Sequence, residues 1–234
     1  HEAILVNNEL IDRPGNVEYT TIGYAKKGLA INLTGKRTEY FVMRTSPNEV
    51  LLNGMLNWQP IVARIRPQRL MSRYTPASQD ISEMAGGLDL LIAPSDNLSF
   101  ITNATYINTL ENVTLYREGY VEADYQGTSW ILEGGVQLMQ YNQEVYQVKA
   151  NAPMLNSITP FAEVTYRIDD KRSIRTEWQY MNTQQDYGSW LFGLVEFNVA
   201  PKWSISASDM YNIAPNYSVV SKANHYYNIS AAFT

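Results

Sequence analysis

The sequence contains no cysteine and only two histidines. The first absence removes disulfide frameworks, thiolate metal sites and cysteine nucleophiles, and leaves the redox compartment open. No apolar run approaches the roughly 18 residues that a helix needs to cross a bilayer, so helical membrane spans are excluded. Basic residues are outnumbered, with a net charge of −5 and a pI near 5.1, which argues against a nucleic-acid binder with its usual basic face. Neither a methionine nor an export leader opens the chain at His1, so any export signal is expected either to have been removed or to lie outside this sequence.

Tyrosine is what the chain has in plenty. There are 17 Tyr and 5 Trp against 6 Phe, a bias toward rings with a polar handle, which suit a membrane–water boundary. The second abundant feature is alternation. Across Ser157–Asp169, Ile158, Pro160, Ala162, Val164, Tyr166 and Ile168 share one face. Ser157, Thr159, Glu163, Thr165, Arg167 and Asp169 share the other, with Phe161 the one apolar exception. A period of two is what a strand imposes. After Asp170-Lys171-Arg172, Ile174, Thr176, Trp178 and Tyr180 alternate with Arg175, Glu177 and Gln179, so the two segments form a hairpin.

The same pattern runs through the rest of the chain. His1–Asn16 reads mostly as loop. Val17–Ala25 and Leu29–Gly35 form a first pair, with Tyr19, Thr21, Gly23 and Ala25 on the face that continues as Leu29, Ile31 and Leu33. Placing Ala25 opposite Leu29 gives a three-residue loop, Lys26-Lys27-Gly28, with glycine where a left-handed residue is needed. Ser46–Ala77 breaks the alternation, with Glu49–Trp58 a candidate short helix. Arg64, Arg66, Arg69 and Arg73 concentrate positive charge there. They suit either a phosphate or other acidic surface or, as the plainer reading, a solvated loop whose arginines pair with nearby carboxylates.

From Met84 the alternation returns, with turns at Pro94–Asp96, Gly127-Thr128 and Ala200–Lys202. Keeping Tyr125 and Trp130 on one face sets Gln126 opposite Ser129 and makes Gly127-Thr128 a type II′ turn. The total is about eleven strands, and short turns alternate strictly with longer connections near 44–80, 108–115, 142–156, 184–188 and 212–223. Outer-membrane barrels show that asymmetry, and strands of about 9–11 residues cross the hydrocarbon when tilted. The sequence therefore predicts an all-β, transmembrane, antiparallel up-and-down β-barrel, read as one domain over 1–234. A soluble β-sandwich that binds carbohydrate through Tyr and Trp is the competing architecture, and would mix short and long connections at both ends.

In lipid the apolar face must look outward and the charged face inward. Glu118, Glu122, Asp124, Glu133, Glu163, Arg167, Arg175, Glu177 and Glu196 are thus the lumen-facing candidates, with Thr165 expected opposite Glu177. An odd strand count with an open edge implies further strands or a partner covering that edge, in an even-numbered barrel of about 14 or more strands.

Four runs are similar to an uncharacterised family of outer-membrane β-barrel proteins from Bacteroidota. They are Arg44–Gly54 (RTSPNEVLLNG), Ile158–Tyr166 (ITPFAEVTY), Asn182–Ser189 (NTQQDYGS) and Gly193–Trp203 (GLVEFNVAPKW). The resemblance implies the C-terminal part of a longer barrel, with earlier strands before His1 and one further hairpin after Thr234. It carries over no functional residue.

No catalytic, cofactor or metal site is read from the sequence, and no enzyme activity is expected. His225 with Ser221 or Ser208 could be read as a lipase pair, but no motif supports it and an interfacial role is the better reading. Neighbouring carboxylates along one strand face, such as Glu122 and Asp124, stand about 7 Å apart, too far to share an ion unaided. Two functions remain: a porin-like transport channel, and a plugged accessory barrel that docks a lipoprotein, lipopolysaccharide or another outer-membrane subunit.

Overall fold

The computed structural model describes residues 2–6, 9–13, 15–40, 70–76 and 82–233, with side chains from residue 15 onward. Two short strands, β1 (Glu2–Val6) and β2 (Glu9–Arg13), pair antiparallel as a separate hairpin. This corrects the expectation of a loop over His1–Asn16.

Eleven strands then make one sheet: β3 (Asn16–Lys26), β4 (Leu29–Glu39), β5 (Glu83–Ser95), β6 (Leu98–Thr109), β7 (Thr114–Gln126), β8 (Trp130–Tyr141), β9 (Leu155–Arg167), β10 (Arg172–Met181), β11 (Gly188–Val199), β12 (Trp203–Pro215) and β13 (His225–Phe233). Each pairs antiparallel with its sequence neighbours, and the order from β3 to β13 has no crossover. The fold is an all-β up-and-down meander, and β3 and β13 are not paired to each other. With no Greek-key exchange and no second sheet packed on the first among the described residues, the sandwich reading falls.

The two faces differ sharply in exposure. Along β8, Gln137 and Met139 are buried while Trp130, Leu132 and Leu138 are exposed. Along β9, Leu155, Ser157, Thr159 and Phe161 are buried while Ile158, Pro160 and Ala162 are exposed. The polar side is the enclosed one and the apolar side the outward one, the reverse of a soluble domain. Val121 and Ile229 are 49% and 83% exposed on the outward side, whereas Glu118, Glu122 and Glu177 are at most 7% exposed.

Three registers differ from the sequence reading. In β3–β4 the partner of Leu29 is Lys26, so the turn is the two residues Lys27-Gly28, with Gly28 at φ 76°. The one-residue slip exchanges the faces of β3. Ile22 and Tyr24 lie opposite Leu33 and Ile31 on the outward side, and Tyr19, Thr21, Gly23 and Ala25 turn inward. β3 is an edge strand exposed on both sides, so burial discriminates weakly between its two faces. In β7–β8, Gln126 pairs with Ile131, and Gly127 donates its N–H to the Trp130 carbonyl at 2.7 Å. Thr128-Ser129 is therefore the turn. This shift of two leaves Tyr125 and Trp130 together on the outward face, as expected. In β9–β10, Arg175 stands opposite Thr165, and Glu177 opposite Glu163.

The candidate helix Glu49–Trp58 lies outside the described residues. A single 3-10 turn, Leu70–Ser72, precedes β5, and a one-turn helix, α1 (Gln143–Tyr146), follows β8 with Asn142 as its N-cap.

Candidate functional site: the enclosed face

The enclosed face is built in two layers along the strands. Toward the short-turn end lies a row of charges set by register. Asp124 of β7 pairs with Glu133 of β8, Glu133 with Glu163 of β9, Glu163 with Glu177 of β10, and Arg175 of β10 with Glu196 of β11. Alternation alone puts these residues on one side; antiparallel register puts them at one height. Arg175 is the hub, with its guanidinium 3.0 Å from Glu163, 3.4 Å from Glu177 and 3.1 Å from Glu196. Such charge-assisted contacts hold like-charged neighbours together that would otherwise repel.

Oxygens of Glu122, Asp124 and Glu133 lie within 4.8 Å of one another. The side chains of Glu122 and Asp124 converge although their positions along β7 are about 7 Å apart, and Glu133 joins them from β8, so the spacing argument against a shared ion does not hold for these three. Arg167 sits at the short-turn rim, exposed, and donates to the Thr128 carbonyl at 3.2 Å. Glu118, buried, accepts from Gln137 at 2.7 Å, and the Tyr120 hydroxyl donates to Glu122. The structure thus brings seven of the nine lumen-facing candidates into one belt, leaves Arg167 at its short-turn edge, and places Glu118 apart from it, opposite Met139 and beside Gln137.

Toward the long-connection end the face is filled. Leu70, Tyr74, Ala85, Ile107, Leu115, Tyr116, Met139, Tyr141, Tyr146, Leu155, Met181, Trp190 and Phe192 form one buried apolar cluster. Beside it Tyr120 stacks on Phe161, ring centroids 5.7 Å apart, with Met71 against them. Leu70, Met71 and Tyr74 come from residues 70–76, a segment lying across this face. The N–H of Leu70 donates to the Gln179 side chain at 2.7 Å, and the Gln137 side chain donates to the Met71 carbonyl at 3.4 Å. The Tyr74 hydroxyl donates to Asp186 at 2.7 Å, and burial together with that carboxylate pushes its pKa up, so it stays a donor.

Of the four loop arginines, Arg64, Arg66 and Arg69 lie outside the described residues. Arg73 is half-buried, 4.5 Å above the Trp190 ring and 5.3 Å from that of Tyr187. Cation–π contact, considered in neither reading of the loop, is its described role.

Sequence reasoning missed the buried ion pair Lys36–Glu83, at 2.5 Å between β4 and β5. Its signal was present, since Lys36 falls on the face opposite Leu33. It also missed Gln137, Gln179 and Asp186, whose roles depend on a segment 66 to 112 residues away. His225 lies on the outward side, its Nδ1 2.9 Å from Asp209 and its ring stacked between Tyr211 and Tyr227. Ser208 faces the other way, opposite Asn228, so the His225–Ser208 pairing is not assembled.

The architecture defines a class: an antiparallel meander with an apolar exterior and a polar, charged enclosed face. Within it, this chain belongs to a family of unknown function, DUF6029, whose model matches residues 2–234. No curated protein matches the sequence. Among solved structures, the chain is similar to a NanC porin, at 9% identity and a TM-score of 0.42, over 94% of this chain and 93% of that one. It is similar to a bacterial polysaccharide outer membrane secretin at 10% identity and 0.39, over 97% and 69%. The toluene transporter TodX of P. putida matches at 9% identity and 0.39, over 93% and 68%. With TM-scores below 0.5, none of the three places a residue or a role on this chain.

Proposed function

We propose that this chain is the wall of an outer-membrane β-barrel that acts as a porin-like transport channel. The observation that carries the reading is the inverted exposure of the sheet. A meander whose Val121, Leu138, Val195, Ile205 and Ile229 face out and whose Glu118, Glu122 and Glu177 face in matches hydrocarbon outside and a polar lumen inside. Dimensions support it. The outward rings Trp203 and Tyr211 bracket β12 eight residues apart, about 27 Å along the strand and roughly 21 Å in height at a 40° tilt, close to the apolar band of known barrels. Trp130 against Tyr166 and Trp203 against Phe233, at 4.5 and 4.8 Å, suit an aromatic girdle at the short-turn end.

In this reading the unpaired edges β3 and β13 are covered within the complete barrel, because open edges do not persist in lipid. The Glu–Arg175 belt lines the water path. One observation favours the second reading, a plugged accessory barrel for a lipoprotein, lipopolysaccharide or another outer-membrane subunit: the long-connection end is filled by residues 70–76 and the apolar cluster. Planar-bilayer recording of the full chain separates the two. Discrete, steady conductance steps support the channel, and silence with a stably co-purifying subunit supports the accessory barrel.

A further inference from the structure

Residues 70–76 are held to the enclosed face by the apolar packing of Leu70, Met71 and Tyr74 and by a few polar contacts, of which the central one is Asp186. That carboxylate is 8% exposed and bridges three connections. One oxygen accepts from Tyr74 of the 70–76 segment at 2.7 Å, the other from Lys149 of the β8–β9 connection at 2.7 Å, and Asp186 itself belongs to the β10–β11 connection. Lys149 also lies over the Tyr187 ring, which Arg73 approaches from the segment. Under and beside the segment, several buried polar atoms of the wall find no hydrogen-bond partner: Thr159 Oγ1, Ser157 Oγ, the Gln137 carbonyl oxygen and Trp190 Nε1. Ser72 Oγ, on the segment, shares that state. Thr159 and Gln137 are cross-strand partners and Ser157 lies two residues along β9 on the same face, so these three sit together as a polar strip, while Trp190 stands apart on β11.

Buried polar groups without partners favour any state in which water reaches them. Seated, the segment satisfies Asp186 and buries Leu70, Met71 and Tyr74; lifted, it would leave those polar groups to water. We infer that residues 70–76 are a releasable strap across the lumen and that Asp186, through Tyr74 and Lys149, is its latch. This inference deepens the channel reading and rests on it, since the strap decides whether the path along the enclosed face is open. Release would expose the strip and widen the long-connection end. The Glu–Arg175 belt would be unaffected, because it is built from strand residues alone.

The absence of cysteine makes a direct test simple. Thr159→Cys places a thiol on the enclosed face opposite Gln137, whose side chain holds the Met71 carbonyl of the strap, and Val121→Cys places one on the outward face. The full chain carrying either is reconstituted in phosphatidylcholine vesicles and exposed to a water-soluble, membrane-impermeant maleimide. With the latch intact, Thr159→Cys reacts slowly. Adding Tyr74→Phe or Asp186→Asn speeds it roughly tenfold, as loss of a hydrogen bond to a charged group allows. Tyr74→Phe removes only a hydroxyl and decides the matter if Asp186→Asn fails to fold. Equal rates with and without these substitutions, or fast labelling of Thr159→Cys alone, overturn the strap. Labelling of Val121→Cys as fast as that of the turn variant Thr128→Cys overturns the membrane reading instead, and does so whatever Thr159→Cys shows.

Discussion

At the scale of single residues the structure makes Arg175 the most consequential charge. Its guanidinium touches three carboxylates, and Glu177 among them is almost fully enclosed. Arg175→Met keeps the volume and removes the charge, leaving three carboxylates without this donor. The expected cost is about 1–3 kcal/mol, read as a lower unfolding midpoint of the full chain in detergent. Arg167→Met, at the exposed rim, is expected to cost no more than about 0.5 kcal/mol in the same assay.

Asp169, in the turn between β9 and β10, gives a pH signature. The hydrogen bond from the Arg172 side chain, with backbone donors from Lys171 and Arg172, holds its carboxyl at about 2 instead of the ordinary 3.8. A folded value below the unfolded one means the turn's contribution is complete above 3.8 and is lost as pH falls through about 2. Carboxyl titration by NMR is expected to show this, and Arg172→Gln is expected to return Asp169 toward its ordinary value.

At the scale of elements, the strands were legible and their registers less so. Alternation in β9 and β10 fixed both faces because each carries charge on one side and rings or aliphatics on the other. β3 has Tyr19 on one side and Tyr24 on the other, so its pattern does not choose, and the wrong turn length at Lys27-Gly28 followed. Gly127 misled for a related reason: glycine beside a turn looks like glycine in it. The charged belt was legible as a face, but its common height required the pairings Asp124 to Glu133 and Glu163 to Glu177, which only a settled register supplies. The 70–76 strap was hidden because long-range contacts of Gln137, Gln179 and Asp186 leave no local period.

Gly135 tests the packing of these elements. A methyl there would collide with the Val121 carbonyl oxygen and come within 2.9 Å of Glu122 Cα and 3.0 Å of the Phe161 ring. Gly119 has open space. Gly135→Ala is therefore expected to destabilise by about 1–3 kcal/mol, and Gly119→Ala to change stability by less than about 0.5 kcal/mol, in urea unfolding of the lipid-reconstituted chain.

At the scale of the whole molecule, one distribution organises the rest. The sheet encloses most of its carboxylates and shows its aliphatics and rings, an arrangement that water would penalise and a bilayer would favour. A basic residue in the outward band should then cost far more than one on the enclosed face. Val121→Lys is expected to destabilise the reconstituted chain by roughly 2–4 kcal/mol, measured by reversible unfolding from vesicles.

Two tryptophans report that distribution most directly. Trp178 is 54% exposed in the middle of the outward face of β10, and Trp190 is 1% exposed on the enclosed face of β11. Full-length variants that keep one of them, with the other four changed to Phe, would be reconstituted in vesicles whose acyl chains are brominated. Strong quenching of Trp178 with little quenching of Trp190 is the predicted result. Equal quenching of the two, or none of Trp178, would contradict a sheet with hydrocarbon on its apolar side.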